Sequence, residues 1–233
     1  MNKAAIITGA SAGIGHATAG HLIAAGYRVI NLSRRLADID GVDTIAVDLS
    51  QPLDAAVVDR LTNHVANADQ STVIHCAGLL GSDHATSVQR SALEHSLAVN
   101  VTAPAMLNQH LIPSLTPGSS IIFVGSTLGD KAVQGAFGYV TSKHAVNGMM
   151  RATCQDLTGT GVHTAVVSPG FTDTEMLRDH VGNDAGILSS LAENVTMGRL
   201  IEPDEIARTI MFCVDNPVIN GSVIHANLGQ IER

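Results

Sequence analysis

The sequence predicts a doubly wound α/β domain, a parallel sheet with helices on both faces, and three observations carry that prediction. Short runs that are apolar throughout, such as residues 4–7 and 120–124, alternate with longer segments of helical periodicity. Strands lacking polar alternation are those buried on both faces, and alternating strands and helices make such sheets parallel. A glycine-rich turn, Thr8-Gly9-Ala10-Ser11-Ala12-Gly13-Ile14-Gly15, stands between the first strand and the first helix. The 233 residues contain no repeat, linker or shift of composition, so a single domain over residues 1–233 is expected.

Residues 4–7 read as the first strand, ended by Thr8 and Gly9, and Ala-rich sequence up to Gly26 as the first helix. Strands follow over 29–32 and 44–47. Pro52, whose fixed φ suits a first helical turn, should open a helix to about residue 67 with Leu53, Val57, Val58, Leu61 and Val65 on one side. The fourth strand spans 72–75, and one long helix spans about 88–111. Strand 120–124, a helix carrying Tyr139 to about residue 157, and strand 162–167 come next. Pro169 and Gly170 break the chain before a loop-and-helix region, 175–198, expected to cover the substrate. A helix from Pro203 through Ile206, Ala207, Ile210, Met211 and Val214 leads to a last strand at 222–225. Right-handed crossovers order seven strands 3-2-1-4-5-6-7, and ligands in such sheets lie beyond the carboxyl ends near the first and fourth strands.

Composition removes several function classes. Hydrophobic residues at 45% against 15% charged exclude a disordered chain. A net charge of −8, with no basic run beyond Arg34-Arg35, argues against nucleic acid or an anionic membrane as partner. No apolar stretch approaches membrane-spanning length. Cys76, Cys154 and Cys213 are scattered in apolar surroundings and read as buried thiols in a reducing cytoplasm. The 11 histidines show no ligand spacing: His16 and His21 are off a common helical face, and His75, His84 and His95 lack acidic or cysteine partners, so no metal is expected. Gly125-Ser126-Thr127 is not the elbow of a serine hydrolase.

The glycines of the turn suit phosphate binding. Gly9 permits a sharp exit, Gly13 lets a pyrophosphate approach the backbone, Gly15 packs the helix on the sheet, and the helix start offers free N–H groups. After the second strand, where an NAD-binding chain usually carries an acid, stand Ser33, Arg34 and Arg35. Guanidiniums there would bind a 2′-phosphate, so NADP(H) is the expected cofactor. Asp48, after the third strand, either meets the adenine or caps the helix from Pro52.

Tyr139 and Lys143, four apart, share a helix face, so an ammonium should draw the phenol's pKa down toward neutrality and make it an acid or base. Ser126, from the preceding loop, could hold a carbonyl oxygen beside it.

Together these residues resemble the short-chain dehydrogenase/reductase family along essentially the whole chain. The resemblance rests on TGASAGIG, the Asn100 segment with Pro104, Ser126 thirteen residues before Tyr139, Tyr139-Val140-Thr141-Ser142-Lys143, and Ser168-Pro169-Gly170. It implies a Rossmann-type fold and a catalytic set of Asn100, Ser126, Tyr139 and Lys143, in which Asn100 would fix a water linking Lys143 to solvent. The implied cofactor contacts are Gly9, Ser11, Gly13, Ile14 and Gly15; Ser33, Arg34 and Arg35; Asp48 and Leu49; Ala77 and Gly78; Tyr139 and Lys143; and Pro169, Gly170, Thr172 and Thr174. The chain departs from the family at His75-Cys76, where two asparagines are usual, at Ala12, and at Asn227-Leu228-Gly229. The reading that results is a cytoplasmic, NADPH-dependent carbonyl reductase of small or medium apolar carbonyl or alcohol substrates, a homodimer or homotetramer through the Asn100 and Tyr139 helices. An NAD-dependent alcohol dehydrogenase and a catalytically silent NADP-binding regulator are the alternatives.

Overall fold

In the computed structural model, which describes residues 1–231, seven parallel strands form one sheet in the order expected, 3-2-1-4-5-6-7. They are β1 (Lys3–Thr8), β2 (Tyr27–Ser33), β3 (Val42–Ala46), β4 (Gln70–His75), β5 (Ser120–Val124), β6 (His163–Pro169) and β7 (Val223–Ala226). Consecutive residues of β1 supply both faces. Ile7 joins Leu22 of α1 (Gly13–Ala24) and Ile206 and Ile210 of α8 (Pro203–Asp215), whereas Ile6 joins Leu61 of α2 (Ala55–Ala66), Leu107 of α4 (Ala103–Leu111) and Met150 of α5 (Phe137–Asp156). That is why the strands carry no polar alternation. Each fully buried Ile or Leu contributes about 1.5–3 kcal/mol relative to exposure.

Two helices differ from expectation. The helix expected from Pro52 begins at Ala55, with Asp54 in the extended N-cap position and its carbonyl accepting from Val57 and Val58 at 3.0 Å. The cause lies upstream. The Asp48 carboxylate accepts from Ser50 N–H at 2.9 Å, and its carbonyl from Gln51 at 3.0 Å, so a side-chain-closed turn occupies 48–51. Asp48 therefore caps that turn and not the helix.

The long helix expected over 88–111 is three pieces: α3 (Arg90–Leu97), a π-helical turn (Ala98–Thr102) and α4. Pro104 has no N–H to give the carbonyl of residue 100, and its ring crowds that carbonyl, so the ladder widens by one residue there. The widened turn contains Asn100.

His75, the last residue of β4, is buried. Its Nε2 lies 2.8 Å from Asn108 Oδ1 and its ring centroid 4.9 Å from that of Phe123, while His75 Nδ1 and Asn108 Nδ2 have no partner among the described residues. Burial pushes its pKa down to about 4 from 6.5. The native state thus holds the neutral ring, and the unfolded state binds the extra proton between those values. Stability should be full above pH 6.5 and fall as pH drops toward 4, by an amount on the order of 3 kcal/mol. Urea unfolding across that window should show a shallower acid limb in His75→Gln than in the wild type. An unchanged limb would place the proton uptake elsewhere.

Candidate active site

Lys143 lies one turn beyond Tyr139 on α5 and is buried, with 6% of its surface exposed. Its Nζ donates to the carbonyl of Val124, at the carboxyl end of β5, at 2.8 Å. The same Nζ sits 5.5 Å from the centroid of the Tyr139 ring. Gly78, past the end of β4, borders both groups: a Cβ there would be in ordinary contact with Lys143 Nζ at 3.8 Å and with Asn100 Oδ1 at 3.7 Å.

Asn100 is committed on every side. Its Oδ1 accepts from Leu79 N–H at 2.8 Å, and its Nδ2 donates to Leu79 O at 3.0 Å and to Ser142 Oγ at 2.9 Å. Ser142 Oγ in turn donates to the carbonyl of Tyr139 at 2.8 Å. The π-helical turn is therefore bonded through one side chain to the loop after β4 and to the Tyr139 helix.

Ser126 follows β5, and its hydroxyl accepts from Leu128 N–H at 3.1 Å as the cap of a short 3-10 turn (Thr127–Gly129). Ser168 Oγ holds the Ser126 carbonyl at 3.2 Å. Gly129 lets this turn lie against α5, since a Cβ there would meet Lys143 O at 3.0 Å.

The expected direction of the phenol's shift is corrected by the structure. Burial pushes Tyr139 up to about 12, with the Ser126 hydroxyl pulling it partly back, and burial pushes Lys143 down to about 8. Burial opposes ionisation of each group and is the largest influence on both. At neutral pH Tyr139 is a protonated phenol beside a Lys143 that is still largely charged.

Asp83 is a part of the site that no local signal in the sequence exposes. Its carboxylate accepts from Gly138 N–H at 3.0 and 3.2 Å, and its backbone exchanges bonds with Gly135 and Phe137. It thereby caps α5 one residue before Tyr139 and places a negative charge at the positive helix end.

The glycine turn adjoins this cluster. Gly9 has φ +77°, and a Cβ on it would stand 2.8 Å from Ala77 Cα; one on Gly15 would stand 2.3 Å from Gly9 O. Thr8 Oγ1 accepts from Cys76 and Ala77 N–H at 3.0 Å each, which anchors the loop after β4 although the usual asparagine amides are absent. Buried Asn31 holds the other side, accepting from Ala10 N–H at 2.9 Å. Helix α1 starts after Ala12 with no side-chain cap and carries no acid in its first turn. A cradle of bare backbone closed to side chains, at a helix start that carries no acid of its own, fits the phosphates of a dinucleotide. Ser11 and Ile14 lie half-buried in the same turn.

The remaining expected contacts fall around the same crevice, with two changes of role. Gly170 N–H bonds Ala226 O at 3.1 Å, Thr172 is buried, and Thr174 Cγ2 would be 3.1 Å from a Cβ on Gly13. The Thr174 hydroxyl, expected to hold phosphate, caps α6 (Glu175–His180) by accepting from Leu177 N–H at 3.3 Å. Ser33 is buried, its hydroxyl bonding Asn31 and the Arg35 carbonyl. The two arginines divide: Arg35 forms a bidentate pair with Glu175 at 2.7 and 3.3 Å, while Arg34 is exposed without a bonded partner among the described residues. Leu49 is buried beneath exposed Asp48.

The chain is similar to known proteins along nearly its whole length. The family model for short chain dehydrogenase matches residues 3–184. The chain is 27% identical over 250 residues to an uncharacterized oxidoreductase, YmfI, of Bacillus subtilis (strain 168), covering 98% of this chain and 99% of the other. It is 28% identical over 240 residues to a 3-oxoacyl-[acyl-carrier-protein] reductase of Homo sapiens, covering 96% of each. The ligand-free structure of Thermoplasma acidophilum aldohexose dehydrogenase superposes with a TM-score of 0.90 at 25% identity, over 98% of this chain and 93% of that one.

Asn100→Ala would leave Leu79 N–H and O without partners in a half-buried loop. Urea unfolding should show a loss of about 2–3 kcal/mol. A loss below roughly 0.5 kcal/mol, the scale of an ordinary surface change, would show that Asn100 does not join these elements.

Proposed function

The chain belongs to the short chain dehydrogenase family and is an oxidoreductase of that family, and we propose that it reduces a carbonyl to an alcohol with NADP(H). The observation that carries the proposal is the burial of Lys143 one turn from Tyr139, with Ser126 alongside, at strand ends adjoining the glycine turn.

A bound nicotinamide supplies or accepts the hydride. The protein's own residues manage the oxygen. Ser126 and Tyr139 hydroxyls donate to it, and as negative charge grows there Tyr139 transfers its proton. Its raised pKa keeps that proton in place at neutral pH, available for transfer to the oxygen. The Lys143 ammonium supports the phenolate left behind and binds the nicotinamide ribose. Asn100 and Asp83 hold the π-helical turn and the start of α5 in register. The turn around Gly9, Gly13 and Gly15 takes the pyrophosphate, and Arg34, unpaired among the described residues, takes the 2′-phosphate.

Helices α6 and α7 (Ala185–Glu193) form the cover over the substrate. Neither buries a residue, and consecutive left-handed residues, Gly182 and Asn183, join them. Segments with so few core contacts open at low cost. Met176 and Ile187 on these helices and Phe137 at the start of α5 are partly exposed, which suits a small or medium apolar substrate. The relative named as a 3-oxoacyl reductase supports an oxo group as the reacting centre. Assembly as a homodimer or homotetramer through α4 and α5, and a cytoplasmic location, belong to the same reading. Met106 on α4 is 47% exposed, the cysteines are free, and no described helix is long and apolar enough to cross a membrane.

The pairing of Arg35 with Glu175 favours a second reading, an NAD-dependent alcohol dehydrogenase, because it withdraws one of two guanidiniums from a 2′-phosphate. Comparing kcat/KM with NADPH and NADH separates the two.

Tyr139→Phe should lower turnover at least about 100-fold while fluorescence titration shows NADPH binding within about twofold of wild type. Undiminished turnover would refute the assignment. Because Lys143 sits at about 8, below its usual 10.5, its charge is present below that pH and lost above it. Dinucleotide binding should weaken by up to about tenfold as pH rises one unit past 8. Lys143→Arg should remove that alkaline limb, and its persistence would assign the titration to another group.

A further inference from the structure

The Arg35–Glu175 pair joins parts of the fold that the sheet keeps apart. Arg35 follows β2 and Glu175 opens α6 after β6, and in the strand order 3-2-1-4-5-6-7 those strands stand four positions apart. At about 4.8 Å per strand that is about 19 Å. A contact between them must cross the ends of β1, β4 and β5, and the glycine turn follows the first of these. Thr174, adjacent to Glu175, already overlies Gly13. The pair is bidentate at 2.7 and 3.3 Å and remains half open to solvent, with side-chain exposures of 62% and 53%. Asp179, one turn further along α6, also acts on Arg35, whereas Arg178 is taken by Asp173. Arg34 has no bonded partner among the described residues and feels only the charge of Asp48 nearby.

Resting on the dinucleotide site proposed above, we infer that Glu175 determines cofactor choice: its carboxylate holds Arg35 in a strap across the crevice. The strap stays closed over a dinucleotide with a free 2′-hydroxyl and must break before Arg35 can serve a 2′-phosphate. Two anions then compete for one guanidinium, and the carboxylate left behind repels the phosphate. Glu175 is a specificity residue and takes no part in proton or hydride transfer. The pair is exposed, so its influence is modest and screened by salt.

The test is fluorescence titration of NADPH and NADH with wild type, Glu175→Gln, Arg35→Gln and the double variant. Glu175→Gln should tighten NADPH binding roughly three- to tenfold and leave NADH unchanged or slightly weaker, an effect that shrinks in 0.5 M salt. In the Arg35→Gln background the same substitution should no longer change the NADPH-to-NADH ratio. An unchanged ratio in the single variant, an equal shift for both cofactors, or a shift that survives without Arg35 would overturn the inference. A wild type that binds neither dinucleotide would overturn the site reading and this inference with it. Binding of both with a fixed ratio would overturn the inference alone.

Discussion

A cation with almost no water around it sets the terms for the carboxyl end of this sheet. Taking an ammonium out of solvent costs several kcal/mol unless the surroundings offset it, and the bond from Lys143 to the Val124 carbonyl does part of that. Much of the neighbouring architecture serves the same residue. Gly129 lets the Ser126 turn lie on the helix backbone, and Asn100 pins the loop that carries Gly78 past the nitrogen. The same withdrawal from water raises the Tyr139 phenol, so the two groups are tuned in opposite directions by one cause.

The molecule is unevenly built around that point. Helices α1 and α8 pack on one face of the sheet and α2, α4 and α5 on the other, so the glycine turn, Ser126 and Tyr139 are carried on elements fixed by burial. Across the crevice the segment from Thr174 through α7 is held mainly by polar contacts: the Thr174 cap, the Arg178–Asp173 pair and the Arg35–Glu175 pair. Polar contacts on a surface are individually worth little and respond to salt. Precise placement is thus concentrated where a proton would move, and adaptability where a substrate would enter.

What was legible in the sequence follows from the range of the interactions involved. Strand order and the two-sided sheet were readable because burial on both faces imposes an apolar run that any window of residues displays. The glycine turn was readable because backbone approach demands glycine at fixed offsets, as the 2.3 Å separation between a Cβ on Gly15 and Gly9 O illustrates. The interior of the 88–111 segment was not, since apolar periodicity hardly registers a one-residue widening; Pro104 was the available sign. The start of α2 was misplaced because Asp48 closes a turn that Pro52 does not reveal. The Arg35–Glu175 pair spans 140 residues and Asp83 lies 55 residues before Gly138, and no local pattern announces either. The direction of the Tyr139 shift depends on how deeply the pair is buried, which spacing on a helix does not encode.

Because α6 and α7 contribute nothing fully buried to the core, their side chains are nearly uncoupled from the stability of the sheet beneath them. Substitutions there carry little folding penalty, while the same change on α5 or β5 would unsettle the whole domain. With these helices as the proposed cover, such a chain could acquire a new substrate through a handful of neutral steps, keeping its chemistry while its appetite drifts.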